Sequence, residues 1–163
     1  MFWKRKHKVE ATELAQSLLN EFVYKIAGDA AKDFDLRLDA ATTARYEVKT
    51  RLYRLAAVLM ALIGEERKNP RFLAVRDRIE SNVFPSSPDE GASLLAEVRT
   101  AMRDLNDLLA PAGQQRWMSW ARAWLQDIGV EETNPVTLHL FATHWMDYYI
   151  MVVDSLREFK PAP

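Results

Sequence analysis

The pattern of apolar and polar positions along this chain is helical from end to end. Leu14, Leu18, Phe22 and Ile26 recur every four residues, which predicts a first helix from about Val9 to Ala27, with Gly28 suited to its C-terminal end. A second helix is expected from Asp39, a good N-cap, to Ile63, with Gly64 beyond it. Val48, Leu52, Leu55, Leu59 and Leu62 would form its seam, widened by Tyr46, Tyr53 and Met60. Asn69-Pro70 opens a third helix, whose stripe is Phe72, Val75, Ile79 and Val83. Ser87-Pro88-Asp89-Glu90 opens a fourth, in which Leu94, Val98, Ala101, Leu105 and Leu108 make one face and the two acids favour the positive end of the helix dipole. The fifth runs from about Ala112 to Ile128 and stops at Gly129. The sixth runs from Asn134 to about Phe159, and the last residues, Lys160 to Pro163, are expected to fray.

The sixth segment sets the expected architecture. From Leu138 to Val153 it is apolar almost all round, as a helix enclosed by others is, yet it is shorter than a membrane span and carries His139, His144 and Asp147. The second helix is similarly apolar from Leu55 to Ile63, so the two are expected to pack together at the centre. No stretch alternates with period two for long enough to be a strand. The connections are short, so sequential helices should be antiparallel neighbours. The fold class that follows is all-α: a single compact bundle of about six helices over residues 9–160, preceded by a basic N-terminal tail at residues 1–8.

Composition narrows the chemistry. There is no cysteine among 163 residues, which excludes disulfides, thiolate catalysis and cysteine zinc sites. Net charge is −1, but residues 45–78 hold nine basic and four acidic side chains, and residues 79–163 hold six and twelve. The positive stretch, with Arg45, Lys49, Arg51 and Arg54 on the second helix, comes on no recognisable nucleic-acid module, which argues against nucleic acid as a partner. The tail residues Phe2, Trp3, Lys4, Arg5 and Lys6 could touch an anionic membrane surface weakly. No apolar run follows the basic start as it would in a signal peptide, and a cytoplasmic location is the expectation.

Two groups of side chains are candidates for function. Trp117, Trp120 and Trp124 lie along one side of the fifth helix, and such rings serve equally as core, as anchors for a partner or as the lining of a ligand cavity. On the sixth helix His144 and Asp147 share a face and Tyr148 follows one turn after His144. A buried His144–Asp147 hydrogen bond is the expected role of that pair, because one His and one Asp do not make a metal site and no nucleophile or phosphate-binding loop accompanies them. Nothing in the sequence calls for a cofactor or a metal. The expected function is therefore non-enzymatic: a helical bundle working through a protein partner or self-association. The alternative is a small-molecule-binding regulatory domain, with an aromatic cavity between the fifth and sixth helices lined by Trp120, Trp124, His144, Asp147 and Tyr148.

Overall fold

A computed structural model describes residues 8–25, 34, 36, 38–84, 87–111 and 114–161. The expected contacts of Phe2 to Lys6, and the roles of Ile26 and Gly28, lie outside these residues. Six helices make up the described chain: α1 (Ala11–Leu18), α2 (Ala40–Glu66), α3 (Phe72–Val83), α4 (Pro88–Leu109), α5 (Gln114–Asp127) and α6 (Pro135–Glu158). The all-α bundle is thus the fold. None of these helices is long and apolar enough to cross a membrane.

Local chemistry accounts for most of the boundaries. The Asp39 carboxylate accepts the Thr42 amide at 2.7 Å, which satisfies one free N–H of α2 and holds that carboxyl below its usual range. Asn134 accepts the Val136 amide at 3.0 Å, with Pro135 in the first turn of α6, where its missing N–H costs nothing. Ser87 stands at the N-cap of α4, but its hydroxyl makes no capping bond; Pro88, Asp89 and Glu90 start that helix instead. Asn69 acts one turn early. It accepts the Arg71 amide at 3.2 Å, and α3 proper begins at Phe72.

Two glycines behave in opposite ways. Gly129, after α5, has φ 87°; its amide donates to the Gln126 carbonyl and the Val130 amide to the Leu125 carbonyl, a Schellman closure. Gly64 is expected to end α2, yet the helix runs through it to Glu66. The Glu65 carboxylate is buried and accepts from Lys68 at 2.7 Å and from Arg157 of α6 at 3.3 Å, and these two cations, Lys68 foremost, keep it below the usual carboxylate range. An added Cβ at Gly64 would meet nothing within 4 Å, whereas one at Gly129 would sit 3.3 Å from the Arg45 guanidinium. Gly64→Ala should therefore stabilise the protein by about 0.5–1 kcal/mol. Gly129→Ala should destabilise it by about 1–2 kcal/mol, the cost of a left-handed alanine. Urea midpoints of the two variants moving in the same direction would contradict this account.

The first helix departs from the expected continuous one. After Leu18 it widens into a π-helical segment, Leu19–Tyr24, that ends with the Lys25 amide on the Asn20 carbonyl. The wider turn changes the step between core positions, so that Leu14, Leu18, Leu19 and Val23 are buried and Phe22 is only half-buried. It also leaves carbonyls without helical partners, and two distant side chains supply them. Tyr148 donates its hydroxyl to the Phe22 carbonyl, and Arg54 donates Nη1 to the Lys25 carbonyl at 2.7 Å. Arg54, buried, also lies 5.5 Å from the centre of the Tyr148 ring.

At the centre is α2, which packs on α3, α4, α6 and the π-helical segment, while α6 packs chiefly on α5 and α2. Leu55 to Leu59, Ala61 and Leu62 are buried, as the apolar run foretells. The N-terminal half of the expected seam is turned away from the core: Val48 is 68% exposed, and Tyr46, Thr50, Tyr53 and Arg54 are buried in its place. The expectation for α6 also needs correction. It buries Leu138, Phe141, Ala142, Trp145, Tyr148, Val152 and Leu156, but Val136, Leu140, Ile150 and Met151 face solvent. The helix is enclosed on one side, not all round. Finally, Lys8–Val9 and Lys160–Pro161 form a two-residue parallel pairing that ties the two ends of the described chain together, where fraying was expected after Phe159.

A groove between three helices

The N-terminal half of α2 lies between α4 and α5, which touch each other little. Where they diverge, one face of α2 is left uncovered. Ala44, Val48 and Leu52 on that face follow the four-residue step of a helix. Thr100, Ala101 and Asp104 of α4 form one wall, and Trp120, Ala123 and Trp124 of α5 the other. The resulting open groove has a volume of about 810 Å³. Its width comes from small residues, Ala44, Ala101 and Ala123, at positions where larger ones would fill it.

The floor is aromatic. Trp124 packs against Tyr46, Tyr53, Phe141 and Trp145 at centroid distances of 5.6, 5.7, 5.0 and 6.1 Å. Trp120 is half-buried at the edge, 6.2 Å from Tyr53. The Tyr53 hydroxyl donates to Asp104 Oδ2 at 2.6 Å, which joins α2 to α4 beneath the opening. Burial raises the pKa of this phenol well above its usual value, and the Asp104 carboxylate raises it further.

Charge is divided between the walls. Lys49 and Arg45 stand on the α2 side, Glu97 and Asp104 on α4, and Asp127 on α5 beside the cations. Lys49 Nζ donates to Asp127 Oδ2 at 2.5 Å and to the Trp124 carbonyl at 3.1 Å, and lies 4.8 Å from the Trp124 ring centre. Arg45 comes close to Gly129. Both cations thus sit at the C-terminal end of α5, where the helix dipole is negative and carbonyls lack amide partners. Two of the basic residues of α2 are accounted for in this way, Lys49 by the end of α5 and Arg54 by the π-helical segment, while Arg45 donates to Thr42 Oγ1 at 3.1 Å. Arg51 remains exposed.

Of the six residues singled out from sequence, two meet in this groove, Trp120 and Trp124. Trp117 is half-buried beside His139, with ring centres 6.1 Å apart. His144 packs edge-on against Phe34 and Trp145. Tyr148 is buried under the π-helical segment. Asp147 is exposed, so the expected buried pair with His144 does not form; the face of α6 that carries Asp147 looks outward. The opening lies on the α2 and α4 side of α5, not between α5 and α6, whose facing rings are packed together. Val48, Leu52 and Tyr53 have the spacing of a core seam, and nothing in the sequence marks Asp104. Among the described residues no three His, Cys, Asp or Glu side chains converge as metal ligands.

Compared with protein-family models, curated proteins and solved structures, the chain matches none.

Proposed function

We propose that this protein is a binding module that receives an amphipathic helix of a partner protein in the groove between α2, α4 and α5. The observation that carries the reading is the exposure of Val48 beside the half-buried Trp120 above an aromatic floor. An apolar side chain left uncovered next to a tryptophan is the kind of anchor point at which binding energy concentrates. The groove is open rather than closed, as helix-in-groove recognition requires. Glu97 and Asp104 of α4 add orientation: a bound helix with bases on the side facing them would be favoured. We also infer a cytoplasmic setting, which a chain without cysteine fits.

The test is a photo-crosslinking amino acid placed at Leu52, inside the groove, with the captured peptide identified by mass spectrometry. The expected product contains a segment with apolar residues at helical spacing. Val48→Asp, which puts a charge into the apolar contact, should lower its yield at least tenfold. Capture that is indifferent to Val48→Asp, or no specific product, would defeat the proposal. One observation favours a second reading, a small molecule in the same groove: about 810 Å³ lies within the ~300–1,000 Å³ of typical ligand pockets. A compound of low mass released on denaturing the purified protein, and absent from Val48→Trp, would decide for it.

A further inference from the structure

A tryptophan and a carboxylate occur together twice in the groove, and only one of the two places holds a cation. Toward the end of α5, Trp124 and Asp127 flank Lys49. Its ammonium lies 4.8 Å from the centre of the Trp124 ring and 2.5 Å from Asp127 Oδ2. One turn earlier on α5, Trp120 is linked through Tyr53 to Asp104 of α4. The Tyr53 ring centre is 6.2 Å from that of Trp120, and its hydroxyl donates to Asp104 Oδ2 at 2.6 Å. All three of these side chains line the groove.

Asp104 lacks a countercharge. Its bond from Tyr53 comes from a neutral donor. Asp107 pairs with Arg116 at 3.6 Å and Asp127 with Lys49, whereas Asp104 has no ion pair among the described residues. The nearby cations are engaged elsewhere: Arg103 donates to Thr100 Oγ1 at 3.2 Å and Arg45 to Thr42 Oγ1 at 3.1 Å. Asp104 is half-buried, so water screens its charge less than that of a fully exposed acid. A carboxylate in such a place attracts a cation by its charge, and the neighbouring rings add the attraction of their π faces. The same rings cover the apolar stem that leads to the charged head of a lysine or arginine.

We propose that Asp104, Tyr53 and Trp120 form a subsite for a guanidinium or alkylammonium group, carried by an arginine or lysine of the bound helix. The inference rests on the helix-in-groove reading and narrows the partner. Val48 and Tyr53 are five residues apart on α2, or about 7.5 Å at ~1.5 Å per residue. A helix lying along the groove therefore places its apolar anchor, for Val48, and its base, for Asp104, about one turn apart. Arginine suits the subsite better than lysine, because its planar head bonds a carboxylate while stacking on a ring.

Two experiments test it. Butylguanidinium, the charged group on a short apolar stem, should bind saturably in the millimolar range and shift the Trp120 indole resonance. Butylurea, similar in shape but neutral, should not. Asp104→Asn keeps an acceptor for the Tyr53 hydroxyl and should weaken butylguanidinium binding about tenfold or more; if that variant unfolds, the contrast between the two compounds on the unaltered protein still decides. In the second experiment, the segment captured by the cross-linker at Leu52 should carry Arg or Lys about one turn from an apolar residue. Equal binding of the two compounds, binding of neither, or a captured segment without a base would overturn the subsite and leave the groove reading standing. No specific capture at all would remove the helix and, with it, this source of the cation, even with butylguanidinium bound.

Discussion

Replacing Trp124 by alanine should cost the fold about 3–5 kcal/mol, a large share of the stability of a domain of this size. The side chain is buried where α2, α5 and α6 meet, and its ring touches Tyr46, Tyr53, Phe141 and Trp145. Removing it opens a cavity bounded by four other rings, none of which can collapse without leaving its own neighbours. It also takes away the ring under the Lys49 ammonium, which is left with the Trp124 carbonyl and the exposed Asp127. A graded comparison separates packing from polarity. The Trp124 indole nitrogen is buried without a hydrogen-bond partner, so Trp124→Phe gives up no such bond and should cost only about 1–2 kcal/mol. Equilibrium urea unfolding of the two variants checks the ordering. A cost for Trp124→Ala below about 1 kcal/mol would mean that this ring does not join the three helices as described.

The same ring shows what could be read from sequence and what could not. That Trp124 belongs to an apolar face of a helix follows from its spacing to Ala121 and Ile128, a local property of the chain. The caps at Asp39 and Asn134 and the stop at Gly129 are local in the same sense, since each depends on a few residues and one backbone conformation. Which way an apolar face points is decided elsewhere. Val48 has the right spacing for the core seam of α2, yet it is exposed because α4 and α5 diverge above it, a fact of the packing of three helices. Along α6 nearly every position is apolar, so periodicity could not distinguish the side that meets α2 and α5 from the side that carries Leu140, Asp147 and Ile150. The π-helical segment was beyond local reading for a stronger reason. Its free carbonyls at Phe22 and Lys25 are satisfied by Tyr148, 126 residues along the chain, and by Arg54, 29 residues along. The candidate site suffered most from this limit. A groove is built from what neighbouring helices fail to cover, and the residues that define it, Ala44, Ala101 and Ala123, are notable only for being small.

Alkaline pH should destabilise the protein through two tyrosines. Tyr53 and Tyr148 are both buried, and both phenols are held neutral to unusually high pH. For Tyr53 burial is the main cause and the Asp104 carboxylate adds to it. For Tyr148 burial again dominates, offset in part by the Arg54 guanidinium. In the unfolded chain both would titrate near pH ~10. The folded pKa values are raised, so above pH ~10 the unfolded state sheds protons that the folded state retains. The stabilisation is complete below that pH and is lost as the pH rises through the alkaline range. Each phenol contributes a slope of about 1.4 kcal/mol per pH unit. Together they give about 2.7 kcal/mol per pH unit once both are ionised in the unfolded chain, which amounts to roughly 3 kcal/mol between pH ~10 and ~11.5, with a smaller addition from partly buried Tyr149. Urea midpoints across that range measure the slope directly. Tyr53→Phe and Tyr148→Phe should each remove about half of it, and at neutral pH each should cost about 1 kcal/mol for the lost hydrogen bond, to Asp104 in one case and to the Phe22 carbonyl in the other. If both phenylalanine variants kept the full alkaline slope, the two hydroxyls could not be enclosed in the way that ties α2 to α4 and α6 to the π-helical segment.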